Sequence, residues 1–204
     1  MNRRAARRHG RNPSRKRPID MKVTPETLRA SQDIRDMLWP FDFAVTSNKE
    51  YGPVWFDIAP LQPFEIVAQR GSGCVYALAG PQRHVLLATS EGQAGIVAAN
   101  LKECLELVVT HPYWQDILRL GGGDLSAMRE VLGDRIEDFE EDALGDDPEI
   151  EEFRPLLRAR LGLTEPGDPL KLLHHAVTVL GADVVVRGHD GYPSESLAGR
   201  FKWP

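Results

Sequence analysis

Residues 64–109, FEIVAQRGSGCVYALAGPQRHVLLATSEGQAGIVAANLKECLELVV, decide the fold. The apolar runs are four to six residues long and are bounded by Gly, Pro and Ser, the pattern of short strands joined by tight turns. Phe64–Gln69 is the first run, and Arg70-Gly71-Ser72-Gly73 turns the chain because glycine takes a positive φ without a Cβ penalty. Cys74–Leu78 follows, Gly80-Pro81 breaks it, and His84–Thr89 is apolar nearly throughout, as in a strand covered on both faces. Ser90-Glu91-Gly92-Gln93 turns the chain once more into Ala94–Ala98. Connections this short favour an antiparallel meander, since parallel strands need crossovers of a dozen residues or more.

The helix that follows marks both its ends. Asn100 is an N-cap type and Glu103 lies three positions on, the spacing of a capping box, while Pro112 stops the run. Leu101, Cys104, Leu105, Val108 and Val109 line one helical face, and Lys102, Glu103 and Glu106 fall outside it. Such a helix can lie across the meander and bury one of its faces. The expected class is therefore α+β: an antiparallel sheet of four to six strands with helices packed against it.

The order of these features resembles the SUKH superfamily, which includes the yeast cell-wall synthesis regulator and bacterial immunity proteins that neutralise secreted toxins. The likeness is carried by Gly71, Gly73, Tyr76, Leu78, Ser90, Glu91, Gly92, Asn100 and the Leu101/Leu105 stripe, about a quarter of the chain. The family's usual opening, Ile-Pro followed by a helix and Asn-Gly, is not visible. The resemblance implies a protein-binding module, an immunity or scaffold protein without enzymatic activity, and implies no cofactor.

Upstream, Thr24-Pro25 opens a helix expected to reach Leu38, where Pro40 stops it. Val54–Ile58 reads as the first strand of the sheet. Downstream, Ile117, Leu118 and Leu120 form a short helix and Gly121-Gly122-Gly123 a flexible connector, with no Lys-Ser/Thr after it to make a phosphate loop. Asp124 caps a helix striped by Leu125, Met128, Leu132 and Ile136. Another helix follows Asp147-Pro148 and is expected to be disturbed at Pro155. Asp168-Pro169 opens a last one, striped by Leu170, Leu173, Val177 and Leu180. Asp183–Arg187 then makes a short strand able to return to the sheet edge, and residues 188–204 form a surface tail.

Charge is distributed unevenly along the 204 residues, whose formal net charge is −5. Residues 1–18 hold eight basic residues and no acid, which leaves 17 basic and 30 acidic residues in the remainder, a net of −13. The basic arm lacks apolar groups to offset its ordering entropy and is expected to be disordered. Residues 19–204 are expected to form one domain. Clustered arginines can bind nucleic acid by releasing counterions, but the arm has no aromatics for stacking. A plain charged tail, or a true start at Met21, is the simpler explanation. From Asp134 to Glu152 there are eleven acidic residues and one basic one, Arg135, in a spacing that fails the calcium-loop template. That run reads either as a solvated helix end and linker or as a negative patch for a basic partner such as a toxin domain.

No catalytic constellation emerges. His174 and His175 are adjacent on a helix and so point about 100° apart, where a metal pair needs spacing of three or four. Ser72 lacks the Gly-x-Ser-x-Gly elbow. Cys74 and Cys104 are too few for a disulfide framework or a zinc site and read as buried thiols. With no membrane-length apolar run and no signal peptide, a cytoplasmic location is expected. Candidate partner-binding residues are the aromatics Trp55, Tyr76, Tyr113 and Trp114, the turn residue Glu91, and the acidic trio Glu140, Glu141 and Asp142. Two rival functions are a small-molecule or nucleotide hydrolase with its site in the sheet concavity, and a nucleic-acid adaptor acting through the arm.

Overall fold

The computed structural model describes residues 22–165 and 167–199; the basic arm lies outside the described residues. The meander forms as its turns dictate. Strands β3 (Phe64–Gln69), β4 (Val75–Ala79), β5 (His84–Ala88) and β6 (Gln93–Ala98) pair in sequence, each antiparallel to the next. Among the described residues the six-stranded sheet is completed by β1 (Ala44–Val45), antiparallel to β3, and β8 (Glu195–Ser196), parallel to β6. Gly73 and Gly92, at φ of 85° each, supply the positive φ that the first and third hairpin turns require.

The fold is α+β, and the sheet is buried on both faces. Tyr76, Leu78, Val85, Leu87 and Val97 turn to a helical layer. Ile66, Val75, Leu86, Ala88 and Ile96 turn to the other side. This strand-by-strand alternation follows from the two-residue period of the pleat. It is interrupted in β3, where a bulge between Ile66 and Ala68 puts both Val67 and Ala68 on the helical side.

The second face is covered in a way the sequence does not reveal. Strand β2 (Phe56–Ala59) is not the first strand of the main sheet. It pairs antiparallel with β7 (Val185–Gly188) in a separate two-stranded sheet. Phe56, Ile58 and Val186 pack from that ribbon onto the main sheet. Pro60 and Pro63, which have no amide hydrogen to donate to a ladder, separate β2 from β3 and release the chain into a different layer. Consequently β7 does not take the main sheet's edge. That place belongs to β8, inside the stretch expected to be a surface tail. Leu197 beside it is buried, and a Cβ on Gly95 would lie 3.2 Å from its Cδ1, so the absence of a side chain there admits it.

The helical layer begins with α1 (Pro25–Ala30) and α2 (Gln32–Leu38), two helices where one was expected. Thr24 and Thr27 form a capping box on α1, and the Ser31 hydroxyl at the break accepts from the Ile34 amide to cap α2. A 3₁₀ turn, Trp39–Phe41, follows. Between β1 and β2 lies the one-turn helix α3 (Asn48–Tyr51). Helix α4 (Leu101–Thr110) buries its whole predicted stripe. Its cap is half the expected box: the Glu103 amide donates to Asn100 Oδ1 at 3.0 Å, but Glu103 returns its carboxylate to the Asn100 side-chain amide, not to the backbone. Glu106, off the stripe, is buried too, because the amide and hydroxyl of Thr164 both donate to its Oε1 at 2.8 Å.

Helices α5 (Trp114–Gly121), α6 (Leu125–Asp146) and α7 (Ile150–Leu161) close this layer together with α8 (Pro169–His175), which continues as a π-turn through Leu180. The triple glycine is a tight corner and not a flexible connector. A Cβ on Gly121 would fall 2.5 Å from Met128 Cγ and 2.8 Å from its Cα, so α5 and α6 meet there with no space for a side chain. Along α6 the buried stripe passes through Met128 to Phe139, and the predicted Ile136 is 41% exposed. Helix α7 runs unbroken through Pro155, held by the buried Ile150, Leu157 and Leu161. Both cysteines are free and buried.

Candidate protein-binding surface

One end of the sheet meets the helical layer through a polar latch. Asp42 sits in the left-handed region at φ 56°, which Asp tolerates better than most residues. Its carboxylate accepts from Arg70 Nε and from the Gly71 amide, fastening the 3₁₀ turn to the β3–β4 hairpin. The Arg70 guanidinium also donates to Gln115 on α5. Burial works to lower the Arg70 pKa, but the surrounding Tyr76, Asp42 and Cys74 outweigh it and hold the guanidinium above its ordinary value.

Beside this latch a cleft of about 380 Å³ opens between the 3₁₀ turn, α5, the second half of α6 and the start of α7. Its apolar wall is backed by Phe41, Tyr113, Phe139 and Ile150, core residues that are each no more than 7% exposed. Tyr113 and Phe139 stack with centroids 5.0 Å apart and planes 16° from parallel. Carboxylates rim it: Asp42, Asp116, Asp142, Asp146 and Asp147. Asp42 is engaged by Arg70, and Asp116 pairs with Arg119 at 2.8 Å. Asp142, Asp146 and Asp147 make no ion pair among the described residues.

These three acids cluster at the C-terminal end of α6, whose last turn carries no basic residue. Negative side chains there face the negative end of the helix dipole, an arrangement that disfavours the helix by a few tenths to ~1 kcal/mol per charge. A cation docked in the cleft would offset that repulsion. One cation already uses the wall: the Arg135 guanidinium lies 4.9 Å from the centroid of the Phe139 ring.

Apolar groups flank the acids. Trp39, 66% exposed, lines a smaller hollow of about 240 Å³ that shares Pro40, Asp42 and Asp147 with the cleft. Leu120, 48% exposed, stands on the cleft's own lip. On the other side a hollow of about 310 Å³ shares Asp116 and Arg119 with the cleft and contains Glu91. The three depressions thus form one continuous surface.

The predicted contact residues are dispersed relative to it. Tyr76 and Trp114 are each 1% exposed and belong to the core, so neither can anchor a partner in this structure. Tyr76 packs against Phe43 at 4.9 Å, and burial pushes its hydroxyl pKa far above the phenol range. Tyr113 is also buried behind the cleft, and its hydroxyl donates to Glu140 Oε1 at 2.8 Å. Trp55 lies at the two-stranded sheet, edge-on to Phe56, in the layer opposite the cleft. Glu91 is exposed in the β5–β6 turn.

The acidic trio is split by helical geometry, because successive residues on α6 point about 100° apart. Asp142 rims the cleft, Glu141 is exposed away from it, and Glu140 is half-buried beneath Arg154. The residue missed by sequence reasoning is Trp39. Its signal was weak: a Trp-Pro pair following an apolar helix reads equally well as a buried helix end.

In the hollow that contains Glu91, Ser72 Oγ contacts Cys74 Sγ at 3.0 Å. Away from the surface, His84 Nδ1 meets the Ala99 carbonyl at 2.9 Å. Among the described residues no group of three or more His, Cys, Asp or Glu could hold a metal ion, and no helix is long and apolar enough to cross a membrane. Comparisons with protein-family models, curated proteins and solved structures found no match. The SUKH resemblance therefore rests on the residues that carry it.

Proposed function

We propose that this chain is a non-enzymatic, SUKH-type protein-binding module of the cytoplasm that holds a basic partner, in the manner of an immunity or scaffold protein. The observation that carries the proposal is the exposed Trp39 beside a cleft rimmed by three acids that make no ion pair among the described residues. Interface hot spots favour tryptophan, and complementary charge steers association with a positively charged surface. A toxin domain that handles nucleic acid has a surface of that kind.

Pull-downs from the native host test this, comparing wild type with Trp39→Ala, with Asp142→Asn/Asp146→Asn/Asp147→Asn, and with Glu137→Gln/Glu141→Gln as a charge control outside the cleft. The wild type and the control should retain a basic protein in low salt, and the two cleft variants should lose it. Equal retention by all four overturns the assignment of the surface. Turnover of nucleotides or esters by the purified chain without a partner overturns the module reading altogether.

A further inference from the structure

The apolar-walled cleft has a candidate occupant within this same chain. Residues 1–18 carry Arg3, Arg4, Arg7, Arg8, Arg11, Arg15, Lys16 and Arg17 and no acid, the charge complement of the cleft's rim. We infer that this basic segment docks an arginine cluster into the cleft, beside the carboxylates of Asp142, Asp146 and Asp147, and so competes with any basic partner for it.

The chemistry of the fit is already displayed by Arg135. A guanidinium stacks on an aromatic face and pairs with carboxylates at once, because it is planar, permanently charged and weakly hydrated. Arg135 does this on Phe139 with Asp138 at 3.9 Å, at the edge of the cleft, while Asp142, Asp146 and Asp147 have no ion pair among the described residues.

Reach permits it. Lys22, the first described residue, lies in a hollow with Glu65 and Arg83, at the end of β3 opposite the Arg70–Asp42 latch. The six residues of β3 span roughly 20 Å at the usual strand rise. Arg11, eleven residues before Lys22, can extend about 36 Å from it, and Arg7 and Arg8 farther still. A tether of this length keeps a segment at an effective concentration near the millimolar range, enough to make modest contacts persist.

The inference uses the cleft assigned above as a binding surface, but it does not depend on a foreign partner existing. It is tested in the full chain by replacing Ser14 with Cys and attaching a nitroxide, since both native thiols are buried. In low salt the label should broaden backbone amide signals of residues 139–147 selectively. That broadening should fall to the level seen at Asp57, in the opposite layer, in about 1 M salt, where the screening length is ~3 Å. Asp142→Asn/Asp146→Asn/Asp147→Asn should abolish it equally.

Competition gives the second measurement. A synthetic peptide of residues 1–18 should bind the full chain carrying Arg3→Ser/Arg4→Ser/Arg7→Ser/Arg8→Ser/Arg11→Ser at least tenfold more tightly than it binds wild type. Absent or uniformly spread broadening, or equal peptide affinity for the two chains, overturns the inference while leaving the partner-binding proposal intact. Docking of the arm with no partner captured from the host leaves the inference and removes the proposed function.

Discussion

Arg154 donates from Nη2 to both carboxylate oxygens of Glu140, at 3.2 and 3.0 Å. The same guanidinium reaches the Val109 carbonyl from Nε at 3.0 Å, so one side chain ties α7 to both α6 and the end of α4. Because Tyr113 also donates to Glu140, the acid that the sequence offers for a partner is already committed to the scaffold behind the cleft wall. Arg154→Ala should lower stability by about 1–2 kcal/mol, the range for a partly buried charge-assisted hydrogen-bond network. Tyr113→Phe keeps the ring stack and should cost ~0.5–1.5 kcal/mol. Urea unfolding of both variants checks this, and an unchanged midpoint in Arg154→Ala would show that the network contributes nothing.

Leu105 is fully buried under the sheet. Leu105→Ala should destabilise the protein by roughly 2–5 kcal/mol, the transfer loss plus the cavity left behind. Denaturant midpoints at constant slope are the measurement.

At the α5–α6 corner, Gly121→Ala should destabilise by about 1–3 kcal/mol through overpacking, because the new methyl group meets Met128 backbone atoms that cannot swing aside. Gly133→Ala is the contrast, since a Cβ there meets nothing within 4 Å and alanine is the better helix former. Thermal melts should move in opposite directions for the two variants.

His111 carries a pH prediction. Burial lowers its pKa from the ordinary 6.5, the positive charges of Arg154 and Arg158 add to that, and Glu140 opposes. With the folded pKa depressed, the unfolded chain binds the proton more readily. The contribution to stability is therefore present above about pH 6.5 and is lost as pH falls through that value toward the folded pKa. Between pH 7.5 and 5.5 the urea midpoint should fall more in wild type than in His111→Gln. Equal slopes would rule out His111 as the source.

Cys104 is completely buried, and desolvation pushes its thiol pKa far above the usual range. Thiol reagents should leave it unmodified in the native protein at pH 8, since the nucleophile is the thiolate. Both thiols should react on unfolding in urea. Rapid native modification of Cys104 would mean that α4 lifts from the sheet.

The features legible in a linear reading of this chain are local. Gly73, Gly92 and the Gly80-Pro81 break set the hairpins, the unbroken apolar run of His84–Thr89 marks a strand covered on both faces, and Asn100 with the Leu101/Leu105 stripe set α4. Each of these preferences is settled within a few residues by backbone sterics, pleat or helical period, so each is legible in a linear reading. The tertiary structure decided everything that depends on which apolar face meets which. It sent β2 to pair with β7 more than a hundred residues away, because the second face of the sheet had to be covered. It drew β8 and Leu197 to the edge, and it buried Tyr76 and Trp114 where exposed anchors were expected. The site divides in the same way. The surplus of negative charge near residue 142 is countable in the sequence. Which acids share a cleft, and that Trp39 stands exposed beside them, follows only from α6 rotating successive side chains by 100° and from α7 folding back against α2, contacts no local pattern encodes.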